Sequence, residues 1–297
     1  MIRLVLTGFA ALLGLAFGSF LNVCLTRWPA EESIVKPRSH CRQCNRTLAW
    51  WENIPLLSWL ALGGRCRTCK TPIGWRHPLV ELAVGGLWMV AAWTTFSADP
   101  ASLGDVSNWV LVVSRMLFAW LVVALAVLDA EHLWLPNWLT WPGIVLGFAS
   151  QLWAFWLNSG PVLEKYNATA LRGQMLRTSA LHSAVAILIA AGLVLLIRWT
   201  YWLIRKQEGM GLGDAKLMAM MAAWLGLPGA LVSFVLAVCM GAGFAFVVLA
   251  QPKARRGAKS WASTPLPFGT FLCIAGILSA LWGQRIIDAY LHWSGLR

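Results

Sequence analysis

The chain has 297 residues, of which 59% are hydrophobic and only 12% carry a charged side chain. A soluble domain of this size normally carries about twice that charged fraction, so an ordinary soluble globular protein is excluded. The formal net charge of +12 suggests nucleic-acid binding at first sight. The cytoplasmic loops of membrane proteins also collect lysine and arginine, however, so we expect membrane lipid and no nucleic acid as a partner.

Apolar runs of about 20 residues recur along the chain, and each is long enough to cross a bilayer as a helix. Backbone polar groups cannot stay unpaired in lipid, so these runs must be helical. The predicted fold class is therefore all-α, a polytopic membrane protein with about eight transmembrane helices. The expected spans are residues 4–24, 79–97, 108–128, 138–157, 179–204, 214–226, 229–250 and 266–290.

Two further features define the expected topology. The apolar stretch 217–250 is too long for one crossing, and the Gly-Leu-Pro-Gly sequence at residues 226–229 supplies a turn that splits it. Basic residues concentrate in segments 25–78, 205–216 and 253–259. The positive-inside rule then places these segments in the cytoplasm, with both termini outside after eight crossings.

The first basic segment contains four cysteines in two C-x2-C pairs, Cys41 with Cys44 and Cys66 with Cys69. Two thiolates from each pair complete the tetrahedral set that is typical of structural zinc. A disulfide framework is disfavoured because thiols stay reduced in the cytoplasm. A redox pair would leave the second C-x2-C unexplained. The sequence therefore predicts a zinc site in the loop 25–78.

Only 12 residues are acidic, and most are explained as solvated charges. We expect Glu52 to be one of these, and Glu81 to snorkel or form a local ion pair. Asp129 and Asp214 differ, because each lies at the predicted cytoplasmic end of an apolar span. An ionisable residue at that depth is costly, so function is the default interpretation.

Two carboxylates that share a site cannot easily both ionise, so one keeps a proton and the other loses it. The charged member can deprotonate a water while the neutral member donates a hydrogen bond to a scissile carbonyl. Asp129 and Asp214 are therefore the predicted catalytic pair of an aspartyl protease. A transporter would also place two carboxylates in a helix bundle, although we find no inverted repeat to favour it. A membrane scaffold with a partner-binding loop is a third alternative.

Further motifs follow one another along the chain. They are GSFLNV at 18–23, RWP at 27–29, WWENIPLLS at 50–58 between the cysteine pairs, RHP at 76–78 with Glu81, LPN at 135–137 after Asp129, EGMGLGDAK at 208–216 and PLPFG at 265–269. In this order, and together with the cysteine loop, they resemble the type IV prepilin peptidase family over residues 18–270.

The resemblance implies a bacterial inner-membrane enzyme with Asp129 and Asp214 as its catalytic residues. Such enzymes cut the basic leader from type IV prepilins and type II secretion pseudopilins on the cytoplasmic side, after a glycine. Members with the large loop also N-methylate the new N-terminal residue, usually Phe, with S-adenosylmethionine. No Rossmann-type glycine-rich turn marks a pocket for that cofactor, so a peptidase without methylase activity stays an alternative.

The resemblance and the spans together suggest three regions. Residues 1–24 are expected to form the first transmembrane helix, which is retained because no A-x-A cleavage site closes the run. Residues 25–78 are expected to be the cytoplasmic zinc loop and methyltransferase region. Residues 79–297 are expected to form the transmembrane peptidase bundle.

Overall fold

The computed structural model describes residues 1–97, 99, 101–165, 171–207, 210–250 and 266–295. The predicted basic segment 253–259, Pro265, Glu208 and Gly209 lie outside these residues. The described chain is helical apart from turns and two isolated β-bridges, which confirms the all-α class. Its α-helices are α1 Ile2–Arg27, α2 Leu57–Ala61, α3 Arg76–Thr95, α4 Ala101–Gly104, α5 Val106–His132, α6 Asn137–Lys165, α7 Arg172–Arg205, α8 Leu212–Ala250 and α9 Phe268–Trp293.

Within the described ranges, six helices are long and apolar enough to cross a membrane: α1, α3, α5, α7, α8 and α9. The protein is therefore a multi-pass membrane protein. The expected span 138–157 lies within α6, which is a helix of 29 residues but is not one of these six. The eight-crossing topology stays a prediction.

The predicted split of the long apolar stretch appears as a break in the geometry of α8. Gly226 has φ 70° and ψ 175°, outside the helical region, and Pro228 follows two residues later. A positive φ with an extended ψ is accessible almost only to glycine, and proline has no N–H to donate to the preceding turn. The two residues together explain why helical geometry is interrupted at this point.

The chain forms two compact units, Met1–Ala124 and Leu125–Arg297. In unit 1, α1 packs along α3. A Cβ at Gly14 would lie 2.9 Å from the Gly85 Cα, and a Cβ at Gly18 would lie 2.7 Å from the Glu81 Cα. Small residues are therefore required here, and they allow the two backbones to approach as closely as in other membrane helix pairs.

In unit 2, α8 is the central helix, and α6, α7 and α9 all pack against it. Its first half after Asp214 is almost completely buried, and Leu217, Met218 and Met221 have no exposed surface. The Trp224 indole N–H donates to the Gly143 carbonyl of α6 at 2.8 Å. This packing places the N-terminal turn of α8 firmly within the bundle.

Candidate functional site

Asp129 lies in the last turn of α5 and is 5% exposed. The Thr270 backbone N–H donates to its Oδ2 at 2.6 Å, and the Thr270 hydroxyl lies 3.1 Å from the same oxygen. Gly269 makes this approach possible, because a Cβ there would lie 2.9 Å from the Asp129 Cγ. The start of α9 thus holds the carboxyl group of Asp129 in one orientation.

Asp214 lies in the first turn of α8 and is 8% exposed. Its Oδ2 accepts the Gly211 backbone N–H at 3.1 Å. Gly211 immediately precedes α8, and Asp214 is the third residue of the helix. A hydrogen bond between these two positions is one half of a capping box, so the local sequence orients this carboxyl group. The favourable position of an acid at a helix N-terminus also stabilises its charge.

Glycines beside the two aspartates share one neighbour in unit 2, Leu135. A Cβ at Gly213, the residue before Asp214, would lie 3.1 Å from the Leu135 Cδ1, and a Cβ at Gly269, which adjoins Asp129, would lie at the same distance from the same atom. Asp129 lies close enough to Asp214 for their charges to interact. The structure therefore brings the predicted pair together from helices α5 and α8.

A polar contact links the segments that follow the two aspartates in sequence. The Lys216 ammonium, two residues after Asp214, donates to the Asn137 side-chain oxygen at the start of α6. Leu133 and Pro136 form the connection from Asp129 to this helix, with Leu133 in the left-handed region at φ 51°. The LPN motif thus turns the chain so that Asn137 reaches α8.

The four predicted cysteine ligands also come together, in unit 1. Their sulfur atoms all lie within 4.8 Å of one another, and the Cys41 and Cys69 sulfurs are 3.7 Å apart. Each pair sits in the same turn: the Asn45 N–H donates to the Cys41 carbonyl and the Lys70 N–H to the Cys66 carbonyl. The sequence therefore forms two matching metal-binding knuckles.

The thiols are electrostatically unequal. Backbone N–H groups of Cys69 and Thr68 lower the pKa of Cys66 to about 6. The Thr71 side chain and backbone lower the pKa of Cys69. At Cys44 the Arg46 backbone N–H favours the thiolate, but desolvation and the three neighbouring sulfurs raise the pKa to about 11. Crowded sulfurs of this kind are the donor set that a divalent metal stabilises as thiolates.

Comparison with known proteins matches two regions of the chain to protein families. Residues 12–95 match the bacterial peptidase A24 N-terminal domain, and residues 116–246 match the type IV leader peptidase family. This chain belongs to the type IV leader peptidase family. The first match contains all four clustered cysteines, and the second contains Asp129 and Asp214.

Several relatives in this family are similar over nearly their full length, and each is named prepilin leader peptidase/N-methyltransferase. The protein from Stutzerimonas stutzeri is 33% identical over 97% of this chain and 94% of its own. That from Pseudomonas aeruginosa is 33% identical over 96% and 93%, and that from Xanthomonas campestris 34% over 97% and 95%. No solved structure matches the chain.

Two acidic residues of this family member lie in environments that differ from those the sequence predicts. Glu52 was expected to be solvated, but it is 7% exposed and pairs with both Arg46 terminal nitrogens, at 2.9 and 2.7 Å. Its pKa is lowered, mainly by the hydrogen bond from Arg46. Glu81 was expected to snorkel or pair, but it is also 7% exposed and accepts the Leu56 N–H at 2.8 Å.

Thr270 donates directly to Asp129, although no pattern in the sequence predicts this contact. It immediately follows the PLPFG motif at residues 265–269. A threonine at the start of an apolar helix is a common residue in a common place, and its distance of 141 positions from Asp129 hides the contact. The only available signal was the adjacent Gly269, which leaves space for another side chain.

Proposed function

We propose that this protein cleaves the leader peptide from type IV prepilins, and from type II secretion pseudopilins, with Asp129 and Asp214 as an aspartyl catalytic pair. The observation that carries the proposal is the convergence of two buried carboxyl groups from α5 and α8, whose charges interact and whose neighbours Gly213 and Gly269 both approach Leu135. Both residues lie within the region that matches the type IV leader peptidase family.

The hydrogen bonds suggest how the pair works. In both aspartates the described backbone donors use Oδ2, so Oδ1 is the oxygen that is left for water and substrate. One carboxylate, as general base, takes a proton from a water that attacks the scissile carbonyl. The other, as a neutral acid, donates a hydrogen bond to the carbonyl oxygen as negative charge develops there. The fixed orientation of both groups limits the reorganisation that the reaction requires.

Substrate choice follows from the position of the pair at helix ends. Asp129 ends α5 and Asp214 begins α8, so in the proposed topology both lie at the cytoplasmic face of the inner membrane. A substrate must present its cut site where its own apolar helix enters the bilayer, as a basic leader followed by a hydrophobic helix does. Moving the scissile glycine one helical turn deeper should abolish cleavage, and efficient cleavage at any depth would contradict this placement.

We also propose that Cys41, Cys44, Cys66 and Cys69 hold one structural zinc ion. A tetrahedral site with Zn–S bonds of about 2.3 Å requires sulfurs about 3.8 Å apart, and the Cys41 and Cys69 sulfurs are separated by 3.7 Å. Four thiolates leave no open coordination position, so the metal would order the loop without taking part in peptide cleavage.

The second proposed activity is N-methylation of the residue that cleavage exposes, with S-adenosylmethionine as methyl donor. The proposal is supported by the similarity to relatives that are named N-methyltransferases along nearly the whole chain. Transfer forms a bond from nitrogen to the methyl carbon and breaks the sulfur–carbon bond, so that sulfur leaves as a neutral thioether and the amine gives up a proton.

One experiment tests both activities. Purified full-length protein in detergent is incubated with a prepilin, with and without S-adenosylmethionine, and the products are read by mass spectrometry. Loss of the leader in both samples, with a further mass of one methyl group only in the second, is expected. An uncut prepilin would refute the peptidase proposal, and a cut but unmethylated product would refute the methylase proposal alone.

A further inference from the structure

Unit 1 contains a cavity of about 540 Å3 that no motif in the sequence identified as a site. It lies between the C-terminal turns of α1, the cysteine loop and the first turns of α3. Small-molecule sites typically enclose about 300–1,000 Å3, so the cavity is large enough for a cofactor or the end of a peptide. Its wall includes Ser19, Asn22 and Glu81, and its cationic lining residues include Arg27, Arg42 and Arg76.

Asn22, one of the residues that line this cavity, has an unsatisfied acceptor. The side chain is buried, with an exposed fraction of 4%, and its Nδ2 donates to the His77 carbonyl at 2.9 Å. This bond defines which end of the amide is oxygen, because only the NH2 group can donate to a carbonyl. The Oδ1 is fully buried, and no described residue donates to it, which is uncommon in native proteins and calls for an explanation.

Glu81 supplies a second acceptor about one helical turn away on the same wall. The close approach at Gly18 places α1 directly against Glu81, while Asn22 contacts His77 one turn earlier in α3. Within the part of the chain that the structure describes, Glu81 has neutral polar contacts with the Leu56 N–H and the Ser19 side chain. A buried carboxylate is normally compensated by a cation, which neither contact supplies.

A buried carboxylate and an orphaned amide oxygen together match a ligand with positively charged N–H donors. A primary ammonium group has three such donors and no acceptor. Arginines of the same wall supply donors for a negatively charged group. Arg76 donates to the Thr26 hydroxyl at 2.7 Å, and Arg42 donates to the Thr26 carbonyl at 3.1 Å. Guanidinium groups gathered around one residue are suited to a carboxylate.

We propose that Asn22 and Glu81 bind a primary ammonium group during methyl transfer, which rests on the proposed N-methyltransferase function. Two molecules in that reaction carry such a group. One is the methyl donor S-adenosylmethionine, whose amino-acid end also has a carboxylate for the arginines. The other is the cleaved pilin, through its new N-terminal amine.

Glu81→Gln and Asn22→Ala test the proposal and distinguish the two sources. Calorimetry measures the affinity of the full-length protein for S-adenosylhomocysteine, which keeps the donor's ammonium and carboxylate. If S-adenosylmethionine binds here, both variants lose at least about tenfold in affinity for S-adenosylhomocysteine, as expected for a hydrogen bond to a charged group. If the pilin amine binds here, affinity is retained and the KM for a processed pilin peptide rises by a similar factor.

The controls separate this site from the rest of the enzyme. Prepilin cleavage and metal content should stay within about twofold of wild type in both variants, because neither residue belongs to the aspartate or cysteine clusters. Glu31→Gln, which removes an exposed carboxylate outside the cavity, should change nothing. The proposal would be overturned by variants that methylate with unchanged affinity for S-adenosylhomocysteine and an unchanged KM for the processed pilin peptide. A wild-type protein that cleaves but neither binds the probe nor methylates would refute the methylase function itself.

A measurement on the unmutated protein covers the case of a variant that does not fold. Hydrogen–deuterium exchange should slow in residues 18–27 and 76–82 when S-adenosylhomocysteine or the processed peptide is added. Binding of either probe with protection confined to other segments would overturn the assignment.

Discussion

In unit 2, Asp129 and Asp214 are oriented by backbone N–H groups at the ends of packed helices. In unit 1, Glu52 is oriented by the guanidinium of Arg46, on a loop with little regular structure that also carries the four clustered cysteines. Helix packing alone can therefore position Asp129 and Asp214. The cysteine loop, in contrast, needs ion pairs and, by our proposal, a metal to hold its conformation. The difference suggests that the two activities can be lost separately.

The largest effect is expected from Asp129→Asn and Asp214→Asn. Each substitution keeps the size and polarity of the side chain but removes the exchangeable proton, so cleavage should fall by roughly 10⁴-fold or more, with no additivity in the double variant. Methylation of an already processed pilin peptide should persist. Mass spectrometry of both products checks this.

The matched control is Glu131→Gln, which alters an acidic residue two positions from Asp129 whose side chain is 36% exposed. It should retain substantial cleavage. Near-wild-type cleavage by either aspartate variant would contradict the catalytic pair.

Serine at any one of Cys41, Cys44, Cys66 or Cys69 should reduce the metal content from one per chain to nearly none. Metal binding and local folding are coupled, so the loop should loosen and methylation should fall with it. Cleavage should change much less, because Asp129 and Asp214 do not need the ion. Elemental analysis and the two activity assays measure these effects.

Cys239→Ser is the control for the cysteine variants, since Cys239 is an exposed residue of α8 outside the cluster. It should keep a full complement of metal. Wild-type protein purified without chelator that contains no zinc would refute the metal site.

Gly269→Ala should affect cleavage to an intermediate extent. The new Cβ would lie 2.9 Å from both Cγ and Oδ2 of Asp129, so the carboxyl group or the start of α9 must move. A displacement of about 1 Å in reacting groups costs about 10²-fold in rate, and we expect a loss of this order in kcat. Gly243→Ala, where no atom of the described residues lies within 4 Å of the new Cβ, should leave kcat unchanged.

The smallest effect is expected from Glu52→Gln, which breaks the pair with Arg46. A hydrogen bond to a charged group contributes about 1.5–3 kcal/mol, so the loop should open more readily, as measured by hydrogen exchange over residues 40–73. Because the folded pKa of Glu52 is lowered, its contribution is present above its ordinary pKa and is lost as pH falls through the folded value.

Glu32→Gln is the comparison for this loop. Glu32 lies 3.7 Å from Arg42, and both side chains are more than half exposed. Exposed pairs contribute little, so exchange should not change. Equal effects of the two substitutions would show that Glu52 does not support the loop.

Local patterns in the sequence determined much of this protein. The lengths of the apolar runs predicted the helices of a multi-pass membrane protein, because unpaired backbone groups are not tolerated in lipid. The break at Gly226 and the geometry of each C-x2-C knuckle follow from residues close together in sequence, and the repeated spacing of the two knuckles indicated that they bind one metal together. Asp129 and Asp214 could be selected because acidic residues at the ends of apolar spans are rare.

Only the tertiary structure decided which polar groups are buried and what they contact. Thr270 reaches Asp129, Leu56 reaches Glu81, and His77 reaches Asn22, across separations of 141, 25 and 55 positions. No periodicity records such pairs, since each depends on how closely two helices or a loop and a helix approach. The burial of Glu52 and Glu81 likewise depends on packing that supplies a specific donor, which overrides the general tendency of glutamate to remain in water.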